Sequence, residues 1–115
     1  MYRLQKEYAD DADAFSKKIY DVIGSGVGII ESVPAAISIA YYTQDPNECC
    51  LMCANLGGDT DTIGAMATAI CGAFTGYSKI NPEYTELLRV QNSETDFDEY
   101  INILKKGREL AGCGR

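Results

Sequence analysis

The chain contains no histidine. That absence removes Ser-His-Asp and Cys-His catalysis from within it, along with zinc sites that need an imidazole. Any metal must be held by oxygen or thiolate. There is no stretch of eighteen apolar residues free of polar breaks, so no membrane-spanning helix is expected. Basic side chains are few: Lys and Arg number 10 against 17 Asp and Glu, for a net charge of −7. The only basic doublets are Lys17-Lys18 and Lys105-Lys106. A nucleic-acid-binding face, or one for anionic membranes, is therefore not expected. The opening "MYRLQKEYADDADAF" is polar and acidic, unlike a secretory or transit peptide. Five cysteines, an odd number, with no secretory signal point to reduced thiols and a cytoplasmic protein.

What is present is helical. The 115 residues, 46% hydrophobic and 23% charged, suit one globular domain over 1–115 or a fragment of one. Leu4, Tyr8, Ala12, Phe15, Ile19 and Val22 recur at helical spacing and predict one amphipathic helix over 4–22. Gly24, Gly26 and Gly28 break it. A second helix follows from Ser32, a candidate cap, with Pro34 in its first turn. Asp45-Pro46-Asn47-Glu48 is a helix start, opening a segment that stops at Gly57-Gly58. Further helices are expected over 60–77, from Pro82, and after Ser93 or Thr95. Phe97, Ile101, Leu104 and Leu110 or Ala111 are expected to line the last one's buried face. No strand pattern or repeat is found. The expected class is all-α, an orthogonal bundle of about six helices.

The stretch "NLGGDTDTIGAMATAICGAFTG", residues 55–76, sets Asp59, Asp61 and Thr62 before a run of small and apolar side chains. Asp59 and Thr62, three apart, share a helical face. With Asp59 at or before the N-cap, freed by Gly57-Gly58, all three oxygens can turn to one site or two adjacent ones. Carboxylate plus hydroxyl is a hard ligand set suited to Mg²⁺ or Ca²⁺. Capping is the alternative, since Asp and Thr are ordinary N-cap residues and acids suit helix N-termini. Gly64, Ala65, Ala67, Ala69, Gly72, Ala73 and Gly76 carry little bulk. Neighbours can approach such a helix closely, which predicts a central position.

The whole string resembles the C-terminal signature of the ADP-ribosylglycohydrolase family, which includes dinitrogenase-reductase-activating glycohydrolase. Upstream, "IGSGVGIIESVPAAISIAY", residues 23–41, resembles that family's glycine loop and its E-S-V-P-A-A. The tail "VQNSETDFDEYINILKKGREL" looks like its last helix. The resemblance implies an all-α fold, of which this chain is the C-terminal portion. It implies a two-metal Mg²⁺ centre, with Mn²⁺ possible, and hydrolysis of the N- or O-glycosidic bond of an ADP-ribosylated protein or small molecule. On matching positions, Asp59, Asp61 and Thr62 would be metal ligands. Gly24, Ser25, Gly26, Val27, Gly28 and Glu31 would line the ADP-ribose cleft, the bare glycines allowing close approach. Asn55, Gly57 and Gly58 would shape the turn that aims the ligands.

Members are usually more than twice this long. Their N-terminal G-D-A-x-G-type and T-D-D segments, which bring further ligands and acidic groups, have no match here. Catalytic residues are accordingly expected in a missing N-terminal portion, the metal centre is incomplete in this chain alone, and the isolated chain is expected to be inactive. "ADDAD" at 9–13 is expected to be a solvated helix face. Cys50-Leu-Met-Cys53, with Cys49 beside it, falls inside a helix and is expected to be buried thiols, not a redox pair. Cys71 is expected to be buried and inert, Cys113 exposed. Tyr41, Tyr42 and Tyr77 are expected to pack, and Glu31 to hydrogen-bond the glycine loop, bind a ligand or cap the next helix. A non-catalytic ADP-ribose-binding or crystallin-like structural relative is the other class. A homo-oligomer or partner chain is expected to cover the missing half.

Overall fold

Asp11 interrupts the first expected helix. The computed structural model describes residues 2–112, apart from the side chains of Tyr2 and Leu4. In it the expected helix over 4–22 is three pieces: α1 (Tyr2–Glu7), α2 (Ala12–Lys18) and a π turn (Ile19–Ile23). The Asp11 carboxylate accepts from the Ala14 N–H at 2.9 Å, and its own N–H bonds to the Tyr8 carbonyl at 3.1 Å. A local cap of this kind competes with helix continuation. The periodicity still marks the inward face, because Phe15 and Ile19 are buried. "ADDAD" is exposed as expected, but it spans this turn as well as the start of α2.

The π turn closes with the Gly24 N–H on the Ile19 carbonyl, 3.0 Å, and delivers the chain to the glycine loop. Helix α3 (Ile29–Thr43) begins three residues before the expected Ser32. The N–H groups of Glu31 and Ser32 both reach the Gly28 carbonyl at 2.9 Å, so Gly28 is the N-cap. Ser32 is buried inside the helix, and Pro34 lies beyond its first turn. Gln44, at φ 52°, ends α3. Asp45 then starts α4 (Pro46–Leu56) as expected, accepting from the N–H groups of Asn47 at 2.8 Å and Glu48 at 3.0 Å. These bonds, that of Glu48 first, hold the Asp45 carboxyl below the usual carboxylate range.

Helix α5 (Thr60–Thr75) follows Gly57-Gly58, and a 3₁₀ turn (Tyr77–Lys79) follows it. Ile63, Ala67 and Cys71, spaced by four, form its buried row. They meet Ala35, Ala36, Ile39 and Ala40 of α3 and Cys49, Cys53 and Leu56 of α4 in one core, which Phe15 and Ile19 complete. Small side chains here let three helices approach closely. The expectation that α5 is central is corrected, since Ala65, Ala69, Ala73, Ile70 and Phe74 are exposed. Small residues permit neighbours on every side, but α3 and α4 occupy one side only.

Cys49 and Cys53 are buried, whereas Cys50 is exposed, so the C-x-x-C pair straddles the surface of α4. The Cys49 thiol is pushed far up, first by its hydrogen bond to Cys53 and then by burial. Burial likewise raises Cys71, and both are inert thiols. Cys113 lies outside the described residues. Tyr42 packs as expected, stacked on Phe15 at 3.9 Å, its hydroxyl donating to the Tyr8 carbonyl at 2.6 Å. Tyr41 and Tyr77 are exposed, against expectation.

Residues 1–81 form one compact unit, and a second begins at Pro82. The second holds α6 (Pro82–Gln91) and α7 (Phe97–Leu110). Asp96, not Ser93 or Thr95, caps α7 by accepting from the Glu99 N–H at 3.0 Å. Arg89 pairs with Asp98 at 3.1 Å. The expected burial of Ile101, Leu104 and Leu110 is not seen, as neither helix buries a residue. Among the described residues there is no strand and no helix long and apolar enough to cross a membrane.

Candidate functional site

The site is built where the glycine loop meets the head of α5. Ser25, buried between Gly24 and Gly26, turns its carbonyl to the Asp59 N–H at 2.7 Å. One orphan donor at the start of α5 is thereby satisfied by a loop 34 residues away in sequence. Gly58 makes the approach possible. It stands at φ 77°, and a Cβ there would lie 2.3 Å from the Ser25 carbonyl oxygen and 2.5 Å from its Oγ. A side chain at Gly58 is thus barred for a concrete steric reason. Asn55 lies one turn earlier and donates back to the Leu51 carbonyl at 2.9 Å.

Glu31 clamps the loop from the other side. Its Oε2 accepts from the Gly26 N–H at 2.7 Å. A Cβ on Gly24 or on Gly26 would stand 2.6 Å from the Glu31 carboxylate. Gly26 is therefore bare, on that side, for the sake of the chain's own carboxylate, whereas Gly24 also stands at φ 91°, where any side chain would be strained. Of the three roles weighed for Glu31, the structure displays the hydrogen bond to the loop. Val27 and Gly28 are exposed at the tip. Sequence periodicity carries no signal for the Glu31–Gly26 and Ser25–Asp59 bonds, which join backbone to distant partners; only the bracketing of Ser25 by glycines hints at a tight approach.

Asp59 occupies the N-cap position of α5, yet its side chain makes no capping hydrogen bond. It is half-buried, and Asp61 and Thr62 are exposed. The Asp61 carboxyl is held below the usual carboxylate range, first by hydrogen bonding with the Asp59 side chain and then by the N–H groups of Thr62 and of Asp61 itself. The two carboxylates are thus neighbours at the helix tip, and Thr62 is next in sequence. The capping alternative is not displayed at Asp59, whose side chain takes none of the orphan N–H groups. Among the described residues, no group of three Cys, Asp or Glu side chains closes a metal cage. Two carboxylates and a hydroxyl at a helix N-terminus are hard oxygen donors, fewer than the roughly six that a divalent cation takes.

Comparison with known proteins follows the same region. The family model for ADP-ribosylglycohydrolase matches residues 2–112. The chain is 50% identical over 102 residues to the uncharacterized protein YegU of Escherichia coli, covering 88% of this chain and 30% of that protein. It is 33% identical over 107 residues to ADP-ribosylhydrolase ARH3 of Homo sapiens, covering 82% and 29%. It is 30% identical over 91 residues to ADP-ribosylarginine hydrolase Tri1 of Serratia proteamaculans, covering 79% and 25%. The chain thus spans between 25% and 30% of the length of these relatives. No solved structure gives a significant match.

Proposed function

Because the chain belongs to the ADP-ribosylglycohydrolase family, we propose that it supplies one edge of a divalent-metal site for hydrolysing the glycosidic bond of an ADP-ribosyl group. The observation that carries this reading is that Asp59, at the N-cap of α5, makes no capping hydrogen bond with its side chain. An N-cap aspartate with no capping bond keeps its oxygens for another partner.

Asp59, Asp61 and Thr62 would hold Mg²⁺ or Mn²⁺, and the donor set fits in chemistry though not in number. Bound there, divalent ions supply the positive charge that fixes neighbouring ribose hydroxyls and acidifies a water. The chain's own part is positional. Ser25 anchors the glycine loop against the head of α5, and Glu31 holds the loop's shape from behind. The exposed tip at Val27 and Gly28 would then meet an ADP-ribosyl group. Charge developing at the anomeric carbon requires further carboxylates, and these belong to the part of the domain outside residues 1–115. The name of the Serratia relative specifies an arginine linkage. The linkage cut here is left as any ADP-ribosyl glycoside.

Calorimetric titration of the chain with Mn²⁺ and Mg²⁺, with and without ADP-ribose, tests the site. Weak binding that disappears in Asp59→Asn and Asp61→Asn is expected. Equal binding by the wild type and both variants would remove the metal assignment. The isolated chain should leave ADP-ribosylated protein intact.

A second reading is a non-catalytic ADP-ribose-binding or structural relative. It predicts that supplying the rest of the domain restores no hydrolysis.

A further inference from the structure

Helix α5 carries two adjacent rows at four-residue spacing outside its buried row, of which only Met66 packs partly against the core. One runs Asp61, Ala65, Ala69, Ala73 and is exposed throughout. The other runs Thr62, Met66, Ile70, Phe74, with Ile70 47% and Phe74 74% exposed. A low row beside a high one is the ridge-and-groove relief into which a second helix packs. At the end of the taller row, Ile70 and Phe74 meet Ile37 and Tyr41 of α3 around an apolar groove of about 330 Å³. Large contiguous apolar exposure of this kind marks an interface.

We infer that this side of α5 and its groove against α3 dock an α-helix from the part of the ADP-ribosylglycohydrolase domain outside residues 1–115. The occupant follows from coverage and charge. The chain aligns over 88% of its own length with a relative of which it spans only 30%, so most of that domain is available to cover the face. A second copy is the poorer fit, because it would bring a further charge of −7 against the first. Asp61 and Thr62 head the two rows, so a helix laid along them runs to the open edge of the candidate site. The inference rests on the family assignment but not on the metal reading.

The test co-expresses residues 1–115 with the part of the Escherichia coli relative that the chain does not match. Sedimentation and hydrogen exchange on the pair should give a one-to-one complex with added protection of amides 69–74. Ile70→Glu and Phe74→Glu should weaken it at least a hundredfold, on the order expected for central interface residues. In the free chain the same changes fall on exposed positions and should leave the melting midpoint within about 2 °C. Leu104→Glu, in the second unit, should leave the complex unchanged. A soluble pair that fails to associate overturns the inference, as does a complex indifferent to positions 70 and 74. So does a homodimer of 1–115 that the partner does not displace. If the separated part is insoluble, the matched 102 residues of the relative are replaced by this chain's. Phe74→Glu must then lower the melting midpoint of that chimera more than that of the free chain; an equal effect overturns the inference. None of these readouts involves metal or hydrolysis, so the docking face and the candidate site fail or stand separately.

Discussion

Asp45 and Asp59 hold equivalent positions before their helices and do different work. Asp45 takes two backbone N–H groups; Asp59 takes none with its side chain. Asp45→Ala should cost about 1 kcal/mol of unfolding free energy in urea, the usual value of a cap. Because the carboxyl of Asp45 is lowered in the folded state, its contribution is present above the ordinary aspartate pKa and is lost as pH falls through the folded value. The difference between wild type and Asp45→Ala should therefore shrink below about pH 4. Asp59→Asn should leave stability within about 0.5 kcal/mol, since no capping bond is lost, while Mn²⁺ binding falls.

The same scale exposes a coupling at Gly26. This residue has no positive φ, so its lack of a side chain answers only to the Glu31 carboxylate. Gly26→Ala should destabilise the chain by about 1–3 kcal/mol, and much less in a Glu31→Ala background. A double-mutant cycle by urea unfolding reads the difference, and strict additivity would show that Glu31 is not the obstruction.

At the scale of elements, α5 separates its two sides by what they tolerate. Ala67 is fully buried in the core row, whereas Ala65 faces out. Ala67→Leu should cost about 1–3 kcal/mol by overpacking, and Ala65→Leu, which lowers helix propensity only slightly and meets nothing, about 0.5 kcal/mol or less. Calorimetric melts of the two variants decide it. Element type and order from α4 to α6 were legible because each of these helices carries its own start signal: Asp45-Pro46 for α4, Gly57-Gly58 ahead of α5, Pro82 for α6. The break inside 4–22 was not, since Asp11 sits in an acidic run that reads equally well as a solvated face. Nor was the start of α3, where Gly28 caps through its backbone alone. For the candidate site, the placement of Asp59, Asp61 and Thr62 at a helix tip was readable. What Glu31 and Ser25 do was not, because both act across a loop whose path no periodicity encodes.

At the scale of the whole chain, the first unit owns the hydrophobic cluster, and α6 and α7 bury nothing. A chain ending at Asn81 should keep a cooperative thermal transition and the far-UV signature of α2 to α5; a non-cooperative melt would show that the cluster is insufficient. The exposed side of α5 has the opposite sense for function, being an unfinished surface at which the candidate site is also unfinished.

The bond from the Asp59 amide to the Ser25 carbonyl gives that unfinished surface an observer. Amides in the first turn of a helix ordinarily trade protons with water freely. This one sits under a loop, so a single nitrogen–proton resonance records whether the glycine loop and the head of α5 are seated or apart. Its exchange lifetime would slow when a sugar or a cation bridges them, giving a spectroscopic handle on ligand capture that requires no turnover.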